Sequence, residues 1–115
     1  MSEIKIVTQS ISREELRQMS QHLFGDLVKA VVDIKQHIMA VGGELHADEE
    51  QVLLERGSQQ TDLWGINLYH ERGDEDWIEF DSMINIHPLQ GNRSRSVEDI
   101  EIQRIIRTIV KELTK

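Results

Sequence analysis

The chain has no cysteine and a single proline, Pro88, among its 115 residues. The lack of cysteine excludes a disulfide scaffold, a thiol nucleophile and thiolate zinc ligands. No apolar run approaches the roughly 20 residues that a membrane-spanning helix needs. No basic segment near the start leads into an apolar one, so we expect no signal peptide and a cytoplasmic protein with no membrane contact.

Basic residues are also scarce, since 21 acidic residues stand against 13 basic ones and give a formal net charge of −8. Neutralising nucleic-acid phosphates requires a dense surface of lysine and arginine, so the composition disfavours a DNA- or RNA-binding role. The same surplus of negative charge would help to steer association with a basic protein. The length and the 38% hydrophobic content fit one folded domain over residues 1–115.

Three helices are indicated. Ser12 and Glu15 have the spacing of a capping box at the start of the first. Asp48 is placed as the N-cap of a short second helix over 49–56, and Gly57 as its stop. The third runs from about 97 to 113, with Ser96 as a cap and an apolar stripe on one face.

Two hairpins are indicated by apolar residues at every second position. The first joins a strand over 28–34 to one over 38–41, and the second joins 63–69 to 77–87. Pairing Tyr69 with Trp77 puts the apolar side chains of both later strands on one face. The longer strand then has an apolar face of Ile78, Phe80, Ile84 and Ile86, with Ser82, and a polar face of Trp77, Glu79, Asp81, Met83, Asn85 and His87.

The predicted fold is therefore α+β, with the order α-β-β-α-β-β-α and a four-stranded antiparallel sheet built from two hairpins. The helices are expected to cover the apolar face of this sheet. The segment 4–7 is a candidate for an additional edge strand.

The loop from Gly91 to Ser96 is the first candidate site, because it brings two arginines into an acidic protein just before a helix. Arginine side chains and helix N-terminal N–H groups bind anions well. The alternative is that these arginines only pair with surface carboxylates. The predicted ligand- or anion-binding residues are Asn92, Arg93, Ser94, Arg95 and Asn85.

The segment from Gly42 to Asp48 is the second candidate site. Glu44, His46 and Asp48 are residue types that can bind a metal or act as an acid–base pair. Their spacing matches no known metal signature, however, and capping already explains Asp48. We therefore predict no metal site and no cofactor, and keep Glu44 and His46 as candidate catalytic residues.

The polar face of the longer strand is the third candidate site. Asp81, Asn85 and His87 project on one side of that strand, with Asn67 on its neighbour, and together they could bind a small polar ligand. A solvated sheet face is the simpler explanation. Trp77 and Met83 on the same face favour a covering partner, which suggests a homodimer.

Five stretches of the chain are distinctive as a set: Val28–Asp33, Gly42–Asp48, Asp62–Asn67, Trp77–Ser82 and Gly91–Arg95. Together they resemble an uncharacterised prokaryotic family that carries the label domain of unknown function 5674. The resemblance covers nearly the whole chain and favours a complete protein over a fragment, but it implies no activity, cofactor or catalytic residue.

The leading hypothesis is thus a small binding or interaction module, with a candidate anion site at the Gly91–Ser96 loop. One alternative is a metal-independent hydrolase or phosphotransfer enzyme, in which Arg93 and Arg95 hold an anion while Asp81, Glu44 or His46 moves protons. That alternative requires the loop and the Gly42–Asp48 segment to meet. A second alternative is an acidic protein that neutralises a basic partner.

Overall fold

A computed structural model describes residues 3–115. These residues form one sheet, in which every pairing is antiparallel and the strand order is β1-β3-β2-β4-β5. In chain order the elements are β1 (Lys5–Val7), α1 (Arg13–Gln21), β2 (Val28–Asp33), β3 (Ile38–Val41), α2 (His46–Glu55), β4 (Leu63–Leu68), β5 (Ile78–Glu79) and α3 (Ile100–Leu113). The α+β class is confirmed. The predicted strand number is wrong, because the N-terminal segment pairs with β3 and makes a fifth strand.

The first helix and the first hairpin form as predicted. The Ser12 hydroxyl accepts a hydrogen bond from the Glu15 N–H at 3.0 Å, which is the expected N-cap. In the hairpin, Ala30 lies opposite Val41 and Asp33 opposite Ile38. The buried Asp33 carboxylate then organises the turn by accepting hydrogen bonds from the backbone N–H groups of Lys35 and Gln36, each at 2.9 Å.

Both faces of the sheet are covered. On one face, Leu16 of α1 and the apolar stripe of α3 pack on β2, β3 and β4. On the other face, Leu53 of α2 packs on Val31, Ala40 and Leu63. The expectation that the helices cover a single face is wrong for α2, because the central strands carry apolar side chains on both sides. No helix within residues 3–115 has the length and apolar content to cross a lipid bilayer.

The second hairpin begins in the predicted register and then departs from it. Leu68 lies opposite Ile78, and the Tyr69 N–H donates to the Trp77 carbonyl at 2.8 Å. However, β5 ends at Glu79, and residues 83–85 form a 3₁₀ turn. The predicted alternation up to Ile86 is therefore wrong, and Trp77 is buried rather than on the polar face.

A side chain replaces the missing part of β5. The Asn85 amide accepts a hydrogen bond from the Gly65 N–H at 2.7 Å and donates one to the Gly65 carbonyl at 2.9 Å. This pair of bonds reproduces what a neighbouring strand would provide. A Cβ at position 65 would lie 2.6 Å from the Ser82 Cβ, so only glycine permits this close approach.

Two predicted helix caps are also wrong. Helix α2 begins at His46, so Asp48 lies inside its first turn, where its N–H donates to the Leu45 carbonyl at 3.1 Å. Helix α3 begins at Ile100 and is capped by Asp99 rather than by Ser96. The stop at Gly57 is supported by a φ of 101°, which favours glycine.

Candidate functional site

Polar side chains from six segments of the chain gather on the face of the sheet that α2 covers, next to the first residue of α2. Strands β2, β4 and β5 contribute one residue each, α2 contributes one, and the segments before and after residues 83–85 contribute one each. We call the set the polar patch. Its members are Lys29, His46, Asn67, Glu79, Asp81 and Arg95.

Three members of the patch form a row across neighbouring strands, because Lys29 lies opposite Asn67 and Asn67 lies opposite Glu79. The Asn67 Nδ2 group donates to Glu79 Oε1 at 2.8 Å and to the Asp81 carbonyl at 3.3 Å. Both partners can only accept, so they fix the orientation of the amide. Asn67 is only 6% exposed, yet its Oδ1 atom is buried with no hydrogen-bond partner in residues 3–115.

His46, the first residue of α2, lies over the same end of the sheet. Its Nε2 atom is 2.8 Å from the Ile66 carbonyl, and because a carbonyl only accepts, this nitrogen carries the ring proton. Burial lowers the pKa of His46 to about 4, and the nearby charges of Lys29 and Arg95 act in the same direction. The imidazole is therefore neutral near pH 7, with Nδ1 as an acceptor.

Arg95 joins the patch through Asp81, because its Nε group donates to Asp81 Oδ1 at 2.6 Å. The backbone supports this pair, since the Arg95 carbonyl accepts from the Ser82 N–H and from the Asn85 amide, each at 3.0 Å. The charges of Asp81 and Arg95 both act on the pKa of His46. The fold thus brings together His46, Asp81 and Arg95, one residue from each of the three candidate sites predicted from the sequence.

The other predicted residues of those segments lie outside the patch. Glu44 and Asp48 are exposed, and within the part of the chain that the structure describes their side chains make no hydrogen bond. They therefore do not join His46 as a metal-binding or acid–base group. The His87 ring packs against Trp64, with 4.9 Å between ring centroids, because the chain has left the strand before it reaches this residue.

The arginine loop binds a carboxylate of its own chain. Glu98 Oε2 accepts hydrogen bonds from the Arg93 N–H at 3.0 Å and the Ser94 N–H at 2.8 Å. Hydrogen bonds from Ser94, followed by the Arg93 N–H, lower the pKa of Glu98. These backbone donors are consequently occupied, and the exposed Arg93 side chain is what the loop leaves for an external anion.

Asn85 and Asn92 have structural contacts. Both are buried, and the Asn92 amide donates to the carbonyls of Asn85 and Ser96 at 2.7 Å while its Oδ1 accepts from the Glu98 N–H at 2.8 Å. Asn85 is committed to Gly65, as described above. Their amide groups hold the loop and the sheet edge together, which leaves them no free donor for a ligand.

The sequence interpretation missed the buried carboxyl group of Glu49. This side chain is fully buried, and its Oε2 accepts from the Gly43 N–H at 2.9 Å. Burial raises the pKa of Glu49 well above its usual range. A Cβ on Gly43 would lie 2.9 Å from the Glu49 Cγ, so the glycine pair was the available signal for a close approach.

The sequence interpretation also missed a set of cations on α3 and just beyond its end. Arg107 and Lys111 are four residues apart on one side of α3, and Lys115 follows two residues after the helix ends. With Arg13 of α1 they line a cleft of about 460 Å³ on the opposite side of the sheet from the polar patch. The four-residue spacing of these basic residues was the signal in the sequence that could have indicated the set.

A larger cleft, of about 710 Å³, lies between β1 and α1. It is lined by residues of mixed charge, and its Lys5–Glu15 ion pair, 2.7 Å long, is exposed on both sides. No buried polar atom without a partner occurs among its lining residues in the described chain. The cleft is therefore a weaker candidate than the polar patch, despite its size.

A family model described as "Protein of unknown function (DUF5674)" matches residues 5–113, which is nearly all of the chain. The chain belongs to the DUF5674 family. No curated protein and no solved structure matches this DUF5674 protein. Family membership confirms the resemblance noted in the sequence and supplies no activity, so the function of this DUF5674 protein has to be argued from its geometry.

Proposed function

We propose that the protein is a binding module that recognises a small polar ligand at the polar patch. The ligand offers a hydrogen-bond donor to Asn67 and an anionic group to Arg95. The observation that carries the proposal is the Asn67 Oδ1 atom, which is a buried acceptor without a partner in residues 3–115.

A buried acceptor of this kind is unfavourable unless something donates to it. Leaving a buried polar group without a hydrogen bond costs about 1–3 kcal/mol, and among the members of the polar patch only Asn67 has such an atom in the described residues. Asn67 cannot relieve the cost by turning over, because its Nδ2 group is held by Glu79 and the Asp81 carbonyl. A ligand hydroxyl, amine or amide N–H would satisfy the oxygen.

Arg95 supports the anionic part of the proposal. A guanidinium group has five N–H donors, and in the described chain Arg95 uses only Nε, on Asp81. Its side chain is 55% exposed, so the remaining donors are open to a carboxylate or a phosphate. Arg93, exposed two residues earlier, can add to the same attraction.

A high-resolution crystal structure tests the carrying observation directly. We expect a water molecule or ligand donor within about 3.2 Å of Asn67 Oδ1. If the Lys29 ammonium group instead lies within that distance and fills the position, Asn67 offers no free acceptor and the proposal fails.

A binding assay tests the rest. Backbone and side-chain amide NMR signals of the protein can be followed as amino acids and small hydroxy acids are added. Shifts are expected at Asn67 and His46, and Arg95→Gln should weaken binding, whereas the control Arg56→Gln, at the far end of α2, should not. Equal weakening by both variants would show a general charge effect instead of a site.

A hydrolase or phosphotransfer activity is a second candidate, favoured by the meeting of His46, Asp81 and Arg95. The pKa of about 4 argues against it, because general acid–base catalysis works best when the pKa lies near the operating pH. Hydrolysis of a generic phosphoester or ester that is lost in His46→Gln would restore this candidate.

Association with other proteins is a separate hypothesis. Met83 is 65% exposed and remains available to a partner, whereas Trp77 is buried and no longer supports a homodimer interface. The net charge of −8 still suits a basic partner. An association rate that does not fall as salt is added would argue against that charge-steered partner.

A further inference from the structure

Four cationic side chains surround one cleft of about 460 Å³ in this acidic protein. We call it the basic cleft. Arg13 comes from the start of α1, while Arg107, Lys111 and Lys115 come from α3 and its C-terminal end. Asp74 is the one acidic side chain that lines the cleft in the described chain.

Backbone pairing brings these cations together. The chain after α3 runs alongside the residues before α1, and three backbone hydrogen bonds of 2.8–3.2 Å join them. The bonds run from Ile11 N–H to the Leu113 carbonyl, from Lys115 N–H to the Ile11 carbonyl, and from Arg13 N–H to the Lys115 carbonyl. The relative positions of Arg13 and Lys115 are thereby fixed by the main chain.

Arg13 is held in place before any ligand arrives. Its guanidinium lies 3.9 Å from the ring centroid of the buried Trp77 and donates to the carbonyls of His70 at 3.2 Å and Arg72 at 2.8 Å. It also forms an ion pair with Asp74, whose side chain is 93% exposed. An ordered arginine loses little further freedom when it binds an anion.

The other three cations lack an ion-pair partner in the part of the chain that the structure describes. Arg107 lies over Phe80, with 5.0 Å between its guanidinium carbon and the ring centroid. Lys111 and Lys115 form no ion pair within residues 3–115, and neither does Arg107. The α3 dipole favours Lys111, but like charges four residues apart on a helix repel each other. An anion in the cleft would relieve that repulsion.

We propose that the basic cleft is a binding site for a small molecule that carries phosphate groups. The cleft volume lies in the range of about 300–1,000 Å³ that is usual for small-molecule sites. A fixed arginine beside exposed lysines suits phosphate oxygens, because arginine gives paired directional donors and lysine gives point charge. The overall charge of −8 makes extended nucleic acid a poor match for the same site.

Calorimetric titration of the purified protein with pyrophosphate tests the proposal. The test variant is the double substitution Lys111→Gln and Lys115→Gln, since both side chains are exposed and should be replaceable without unfolding. The control double variant, Lys35→Gln with Arg56→Gln, removes the same charge on exposed residues outside the cleft. We expect pyrophosphate to bind the wild type and the control alike, and the test variant about tenfold more weakly.

Binding should also weaken as sodium chloride is added, because exposed charges are screened. The proposal is overturned if pyrophosphate gives no binding at millimolar concentration, or if both double variants bind as the wild type does. It is equally overturned if the two variants lose the same affinity. Tighter binding of duplex DNA or of anionic vesicles than of pyrophosphate would replace the small molecule by a macromolecular or membrane surface.

Discussion

The polar patch and the basic cleft lie on opposite sides of one sheet and differ in whether their cationic side chains have acidic partners. In the patch, Arg95 is paired with Asp81, and the buried His46 is neutral. In the cleft, Arg107, Lys111 and Lys115 have no acidic partner within residues 3–115. The patch is thus suited to recognition by directed hydrogen bonds, and the cleft to recognition by charge.

This difference shows that the number of cations in a segment says less about an anion site than the partners those cations meet. The Gly91–Ser96 loop has two arginines, but Glu98 and Asp81 already occupy its N–H groups and one guanidinium donor. Substitutions around the patch should therefore change stability more than those around the cleft. The following predictions test that ranking.

The largest effect is expected for Asn85→Ala. The substitution leaves the N–H and carbonyl of Gly65 and the carbonyl of Arg95 without their partner. The free energy of unfolding, measured with urea, should fall by about 4 kcal/mol. Arg93→Ala, an exposed neighbour, serves as the control and should stay within about 0.5 kcal/mol of the wild type. Equal effects in both variants would mean that Asn85 does not replace a strand.

The next effect is the pH dependence that His46 causes. Its pKa is about 4 in the folded chain and about 6.5 when unfolded, so between these values the unfolded chain binds more protons. The contribution of His46 to stability is complete above pH 6.5 and should decline by about 3 kcal/mol as the pH falls to 4. The contribution of His46 is isolated by measuring the free energy of unfolding in urea for the wild type and for His46→Gln across this pH range.

Glu49 complicates the raw pH profile, because its pKa is raised and its contribution therefore declines as pH increases above its ordinary pKa. The difference between wild type and His46→Gln removes this background. A difference that does not change between pH 6.5 and pH 4 would show that His46 titrates normally in the folded protein.

A small effect is expected for Arg95→Gln. The Arg95–Asp81 pair is about half exposed on both sides, so its loss should lower the free energy of unfolding by roughly 0–1 kcal/mol. Heat denaturation at low and at high salt measures it, and the loss should shrink as salt is added. A loss of several kcal/mol would show that the pair supports the fold and is not available to a ligand.

The smallest effect on stability is expected for Lys111→Gln in the cleft. The side chain is exposed and lacks an acidic partner in the described chain, so unfolding free energy should change by less than about 0.5 kcal/mol. A slight gain is expected at low salt, because the repulsion between Lys111 and Arg107, four residues apart on α3, is removed. A clear loss of stability would indicate a structural contact and would weaken the contrast between the two regions.

The sequence was informative where structure depends on neighbouring residues. The Ser12 cap, the hairpin from Val28 to Val41 and the pairing of Tyr69 with Trp77 follow from local periodicity and capping chemistry, and all three are confirmed. The alternation after Glu79 continues in the sequence but not in the fold. Ser82 and Asn85 bind Gly65 and Arg95 instead, and such long-range contacts cannot be read from a period of two.

The same limit applies to the candidate sites. Asp81, Arg95 and His46 were each singled out, but their meeting depends on how α2 crosses the sheet and how the arginine loop returns to it. Helix α2 begins three residues earlier than expected, and this turns Glu49 inward while leaving Asp48 exposed. The basic cleft was not predicted, because the proximity of the α3 cations to Arg13 arises from the long-range backbone pairing of residues 113–115 with residues 11–13.

The bond between Gly65 and the Asn85 side chain has a consequence for dynamics. Inside a regular sheet, an amide hydrogen exchanges with solvent when strands separate, but the Gly65 hydrogen is shielded by the side chain of an irregular segment. Its exchange rate therefore reports how often residues 80–96 lift from the sheet edge. One backbone signal can thus follow the opening of the segment that carries Arg95, without any knowledge of the ligand.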